Sequence, residues 1–131
     1  QHVHVIDEFN NFMEEEIYQM MVATTENQDE LILENTTTLK VARWWNRACD
    51  IIPCNGGKDI GIQKILDYFN FNKEEAMAFG DGGNDISMLK YVGTGVAMGN
   101  AKDNVKAIAD YITDSVQEDG IVSALKHFEI L

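Results

Sequence analysis

Residues 76 to 85 read Ala76-Met77-Ala78-Phe79-Gly80-Asp81-Gly82-Gly83-Asn84-Asp85, an apolar run that breaks off into glycines and acids. A short apolar segment of this kind predicts a buried strand, and the glycines end it. Carboxylates then stand at the carboxyl end of that strand, where parallel α/β sheets build their ligand sites. Asp81 and Asp85 are hard oxygen donors of the sort that hold Mg2+. Gly82 and Gly83 leave the backbone open to a phosphate or a metal ion.

Upstream, Lys58 follows Asn55-Gly56-Gly57 and opens a helical pattern in which Ile62, Ile65, Leu66 and Phe69 fall at i, i+3, i+4 and i+7. Its ammonium can neutralise a phosphate, so lysine and carboxylates together point to phosphoryl transfer. Downstream, the spacing predicts a helix from about Asn84 to Tyr91 and a strand from Gly95 to Met98. A helix presenting Ala101, Val105, Ile108 and Ala109 comes next, then a short strand at Tyr111-Ile112. The last helix carries Ile121, Leu125 and Phe128. Strand-helix alternation of this kind gives a parallel sheet with helices on both faces.

The pattern before Pro53, the only proline, is different. Ile17 to Val22 reads as a strand, Asn27 to Glu34 as a short helix, and Leu39 to Trp45 with Ala48 to Ile52 as a hairpin around Asn46-Arg47. On the first hairpin strand Val41, Arg43 and Trp45 share one face, and Ala42 and Trp44 the other. The predicted domains are therefore residues 1–52 and 53–131.

The ordered set of segments resembles the haloacid dehalogenase-like phosphatases, in particular the Cof-type branch with a large inserted cap. It is carried by Gly57-Lys58-Asp59-Ile60-Gly61, by Met77 through Leu89, by Gly95-Val96-Ala97-Met98-Gly99-Asn100-Ala101, by Ala109 through Thr113, and by Glu118-Asp119-Gly120-Ile121. The resemblance implies an α/β fold: the carboxyl-terminal half of a doubly wound, Rossmann-like sheet, preceded by part of an α+β cap. It implies Lys58, Asp81 and Asp85 as catalytic residues, with Mg2+ as cofactor. Asp81 would ligate the metal directly, and Asp85 would hold metal-bound water, orient Lys58 or simply cap the next helix. Asn84 would donate to a phosphate oxygen or cap that helix, and Asn100 reads more readily as a cap.

The implied reaction is Mg2+-dependent hydrolysis of a phosphomonoester, a small sugar phosphate, through an aspartyl-phosphate. The family's nucleophile lies in an Asp-x-Asp-x-Thr motif, and no Asp-x-Asp occurs in these 131 residues. The nearest lookalike is Val3-His4-Val5-Ile6-Asp7, followed by Glu8 and Phe9. With Gln1 rather than Met at its start, the chain reads as the carboxyl-terminal portion of a longer enzyme, inactive by itself. Within that reading the strand at Ala76 to Phe79 loses a neighbour, and its edge calls for the missing amino-terminal part or a second copy. The competing class is a non-catalytic module that binds phosphate or a metabolite for regulation. A dinucleotide-binding domain is disfavoured, because no Gly-x-Gly-x-x-Gly follows a strand.

Arg43, Trp44, Trp45 and Arg47 are the cap's candidates for contacting the leaving group, Arg43 first, against the alternative of hairpin packing. His2 and His4 alternate on one face but lack a third metal ligand. A net charge of -12 excludes nucleic acid as partner and requires an anionic substrate, a small phosphorylated metabolite, to be drawn in locally. No segment approaches the roughly 20 apolar residues of a membrane span. Cys49 and Cys54 match no zinc spacing and read as reduced thiols of a cytoplasmic protein.

Overall fold

A computed structural model describes residues 16–131. The lookalike at Val3 to Asp7 and the pair His2 and His4 lie outside them. Two three-stranded sheets organise the chain.

The first sheet is antiparallel, with β1 (Met20–Val22) and β2 (Leu39–Trp45) on either side of β3 (Ala48–Pro53). Between β1 and β2 lie a 3-10 turn at Glu26–Gln28 and the short helix α1 (Asp29–Leu33). The hairpin forms where Asn46-Arg47 predicts it. Its register runs from Leu39 opposite Pro53 to Arg43 opposite Cys49, then slips so that Trp45 faces Ala48. That bulge breaks the alternation that grouped Trp45 with Val41 and Arg43. Strand β1 is shorter than predicted: β3 pairs it only from Cys49 to Ile51, and Ile17 and Tyr18 are exposed.

After β3 the chain enters α2 (Lys58–Phe69), which ends at Asn70 in the left-handed conformation, φ 56°. The apolar stripe of α2 is only partly covered. Ile62 packs against the core, whereas Ile65 and Phe69 are each 59% exposed among the described residues. Strands β4 (Met77–Gly80), β5 (Thr94–Ala97) and β6 (Tyr111–Ile112) form the parallel sheet in that order, and α3 (Ile86–Tyr91) crosses from β4 to β5. This is the expected α/β arrangement. The core gathers Ala78 and Ala97 from the sheet, Leu89 and Val92 from α3 and its end, and Ala101 and Val105 from beyond β5. Among the described residues β4 has a partner on one side only, so it stands at the sheet's edge.

One helical prediction needs correction. The helix expected through Ala101 and Ala109 shrinks to α4 (Asp103–Lys106). Asp110 explains why. Its N–H donates to the Gly95 carbonyl at 2.8 Å, and its side chain accepts from the Gly95 N–H at 2.7 Å. Those bonds to β5 pull the chain out of the helix in time to start β6. The last helix, α5 (Gly120–His127), buries its small residues Gly120 and Ala124, and leaves Ile121 48% exposed. Tyr111 of β6 stacks on His127, ring centres 4.1 Å apart, which fixes the end of α5 over the sheet.

Candidate active site

The loop after β4 builds the site. Gly80 ends the strand, and a 3-10 turn at Gly83–Asp85 folds the chain back so that Asp85 lies over it. A Cβ on Gly80 would fall 2.6 Å from the Asp85 Cβ, so only glycine lets the carboxylate sit there. One Asp85 oxygen, Oδ2, accepts hydrogen bonds from the N–H groups of Asp81 and Gly82, each at 3.0 Å. The other, Oδ1, pairs with the Lys58 ammonium at the start of α2. Burial opposes the charge on Asp85. The hydrogen bond from Lys58, those from the Gly82 and Asp81 backbone, and the lysine's charge outweigh it and hold the carboxyl below its usual range.

Asp81 is exposed, and its Oδ2 accepts from Asn100 Nδ2 at 2.9 Å. Asn100 is in turn fixed by Val116, whose N–H donates to its Oδ1 at 3.1 Å. The cap of α4 is Lys102, so Asn100 is not a helix cap. The sequence underrated it, since an asparagine after a glycine reads first as a cap, and only the meeting of the loops after β4, β5 and β6 reveals its partner.

A cavity of about 610 Å³ opens between this loop and the hairpin sheet. Lys58 and Asn84 line it from the core side, and Lys40, Ala42, Asp50 and Ile52 from the hairpin. The two walls touch at Gly83, where a Cβ would lie 2.7 Å from the Arg43 carbonyl oxygen. Only a bare backbone fits so close an approach.

Arg43 lines the cavity too, but its guanidinium is committed elsewhere. It pairs with Asp29 of α1 and donates to the carbonyls of Thr24 at 2.9 Å and Trp45 at 3.2 Å. The hydrogen bond it donates to Asp29 raises its pKa. Those bonds tie α1 and the loop before it to the hairpin. Trp44, Trp45 and Arg47 do not line the cavity.

As a Mg2+ site the loop fits in part. Asp81 has one oxygen engaged by Asn100 and the other available, and Mg2+ is commonly held by one or two carboxylates with water and phosphate oxygens completing its shell. Both oxygens of Asp85 are already engaged, which suits it to orienting Lys58 or holding metal-bound water rather than to direct ligation. Among the described residues no three His, Cys, Asp or Glu side chains cluster as a metal site.

Fold and site together define an α/β protein that presents a lysine-carboxylate pair at the carboxyl ends of parallel strands. A family model, haloacid dehalogenase-like hydrolase, matches residues 1–125, and the chain belongs to that family. It is 43% identical to the sugar phosphatase BT4131, of HAD subclass IIB, with a TM-score of 0.86 over 94% of this chain and 47% of that one. Against the phosphatase BT1666 from Bacteroides thetaiotaomicron the identity is 37% and the TM-score 0.88, covering 97% of this chain and 47% of the other. The 5-amino-6-(5-phospho-D-ribitylamino)uracil phosphatase YitU of Bacillus subtilis is 44% identical over 89 residues, 66% of this chain and 33% of that protein. The chain thus spans less than half the length of each of these three. No helix among its described residues is long and apolar enough to cross a membrane.

Proposed function

We propose that the full-length protein carrying this sequence is a Mg2+-dependent phosphomonoester hydrolase that acts on small sugar phosphates through an aspartyl-phosphate. One observation carries the proposal: the Lys58–Asp85 pair, whose carboxylate is fixed by two backbone N–H groups at the end of β4 and whose lysine lines the cavity. A lysine held by a carboxylate in a confined site is placed to balance the charge of a phosphoryl group as a nucleophile attacks it. Asp85 keeps the ammonium in position. Asn84, on the same wall, donates to a phosphate oxygen. Asp81, steadied by Asn100, would hold the metal, which when bound supplies neutralisation of phosphoryl charge.

The nucleophile belongs to a part of the protein outside these 131 residues, which contain no Asp-x-Asp. Residues 1–52 then form the closing part of a cap and residues 53–131 the closing part of the core, and the open edge of β4 takes an upstream strand or a second copy. A cytoplasmic setting suits the two free cysteines. The sugar-phosphate preference draws support from BT4131, a sugar phosphatase, and from YitU, whose named substrate carries a phosphorylated ribityl chain.

The missing Asp-x-Asp also favours a second reading, a module that binds a phosphorylated metabolite without turnover. Assaying the full-length protein with p-nitrophenyl phosphate and Mg2+ separates the two. Turnover that collapses in Lys58→Ala supports the hydrolase, and turnover equal in variant and wild type refutes the role of Lys58. Phosphate binding without any turnover establishes the module.

A further inference from the structure

Asp81 stands at the end of a chain of hydrogen bonds that starts in the loop between β6 and α5. Its Oδ2 accepts from Asn100, and Asn100 Oδ1 accepts from the N–H of Val116 in that loop. The loop itself is clamped. Thr113, 6% exposed, donates its hydroxyl to the Gly120 carbonyl at 2.6 Å, and the Gly120 N–H donates to the Ser115 carbonyl at 3.1 Å. A Cβ on Gly120 would fall 2.0 Å from the Asp114 carbonyl oxygen, so α5 begins in direct backbone contact with the loop. That same carbonyl accepts from the Gly99 N–H at 3.0 Å, which joins the clamp to the residue before Asn100. Within the loop, Ser115 Oγ donates to Glu118 Oε2 at 2.7 Å and closes the 3-10 turn Val116–Glu118, which presents the Val116 N–H.

We propose that Thr113 and Ser115 are positioning residues for Asp81 as a metal ligand. The clamped loop fixes the Val116 N–H, Val116 fixes Asn100, and Asn100 holds one oxygen of Asp81 while the other stays available. The inference rests on the metal half of the proposed function, and extends it to a loop outside the site. Asp81 is exposed, and an exposed aspartate samples several rotamers. Each bond that narrows them lowers the entropy that metal binding would otherwise have to remove. Outer partners of a metal ligand act in this way, by orienting it. The hydroxyl is the informative part of Thr113. It satisfies the Gly120 carbonyl in a buried setting, and an isosteric valine would fill the space and leave that carbonyl without this donor.

The test counts bound metal directly, on the full-length protein without substrate. Mn2+ replaces Mg2+ as the probe, because electron paramagnetic resonance reads its free ion. Asn100→Ala should weaken Mn2+ binding severalfold, and Thr113→Val by about threefold. Thr113→Ser, which keeps the hydroxyl, should bind as tightly as the wild type. Ser115→Ala should weaken binding in the same direction, and it carries the comparison if the valine variant does not fold. In the double variant of Asn100→Ala with Thr113→Val the losses should not add, because the clamp acts through Asn100. Wild-type affinity in Asn100→Ala or in every loop variant that folds would overturn the inference while leaving the phosphatase standing. So would a serine variant as weak as the valine one, or losses that add in the double variant. Asp81→Ala binding Mn2+ as the wild type does would remove Asp81 from the metal site, and the inference with it. Turnover of p-nitrophenyl phosphate with Mg2+ is read on the same preparations. Metal binding in the expected pattern without any turnover overturns the phosphatase reading and supports the inference.

Discussion

Lys58 and Asp85, 27 residues apart in the chain, meet as an ion pair whose carboxylate also ties down the backbone of Asp81 and Gly82. The pair is lopsided. The lysine side chain is 50% exposed and the aspartate 7%. The carboxylate therefore carries the structural weight, and the ammonium stays open to a ligand.

That asymmetry predicts unequal stability costs. Asp85→Ala strands two backbone donors and a lysine, and should destabilise the chain by about 2–4 kcal/mol. Lys58→Ala leaves Asp85 its two backbone bonds and should cost about 1 kcal/mol or less, as befits a half-exposed partner. Urea denaturation of both variants measures the difference. Equal losses would mean that the backbone bonds to Asp85 contribute little.

Acid should loosen this loop first. The Asp85 carboxyl is held below its ordinary value in the folded chain, so the folded state binds its proton less readily than the unfolded state does. The resulting stability is complete above the unfolded carboxylate value, about 3.9, and is lost as pH falls below it through the folded value. The wild type should show this acid loss, and Asp85→Asn should show a flatter profile across the same window. Parallel curves for the two proteins would assign the acid sensitivity to other carboxylates.

Asn100 and Asp81 should behave as a unit in metal dependence. Asp81→Ala in the full-length protein should abolish turnover and weaken Mg2+ binding. Asn100→Ala frees Asp81 from its hydrogen bond, and should raise the Mg2+ concentration needed for half-maximal activity severalfold, with a smaller effect at saturating metal. Titrating activity against Mg2+ distinguishes this from a loss of fold, which saturating metal would not repair.

The two thiols should differ sharply in reactivity. Cys49 is fully buried in β3, and burial pushes its thiol up, against the smaller opposing effect of Arg43. Cys54 is exposed just past the strand. Iodoacetamide on the native chain should label Cys54 and spare Cys49 until denaturant is added. Equal labelling in native buffer would show that β3 opens far more readily than its pairing on both sides implies.

Much of this was legible in the order of residues. The apolar run into Gly80-Asp81 marked a strand end with carboxylates on it, because strand, glycine and acid are local signals. The hairpin limits were equally local, set by Asn46-Arg47 between two apolar runs. Lengths that depend on partners were not legible. Helix α4 ends early because Asp110 bonds to Gly95 of another strand, and β1 is short because β3 pairs it over three residues only. Helix α5 stands where it was expected, and only the structure shows that its most buried residues are the small ones, Gly120 and Ala124.

The sequence by itself determined the class of fold, the family, and the residue types gathered after β4. Tertiary structure decided which of them meet. Arg43 was a substrate candidate by type, yet its guanidinium reaches Asp29, Thr24 and Trp45 across the hairpin. Asn100 finds Asp81 only because the loops beyond parallel strands converge at one end of the sheet. Asp50 looked like any acid in a strand, and only the register that sets it between Met21 and Ala42 leaves it buried without a donor. Burial and partnership belong to pairs of residues far apart in the chain, and no local pattern encodes them.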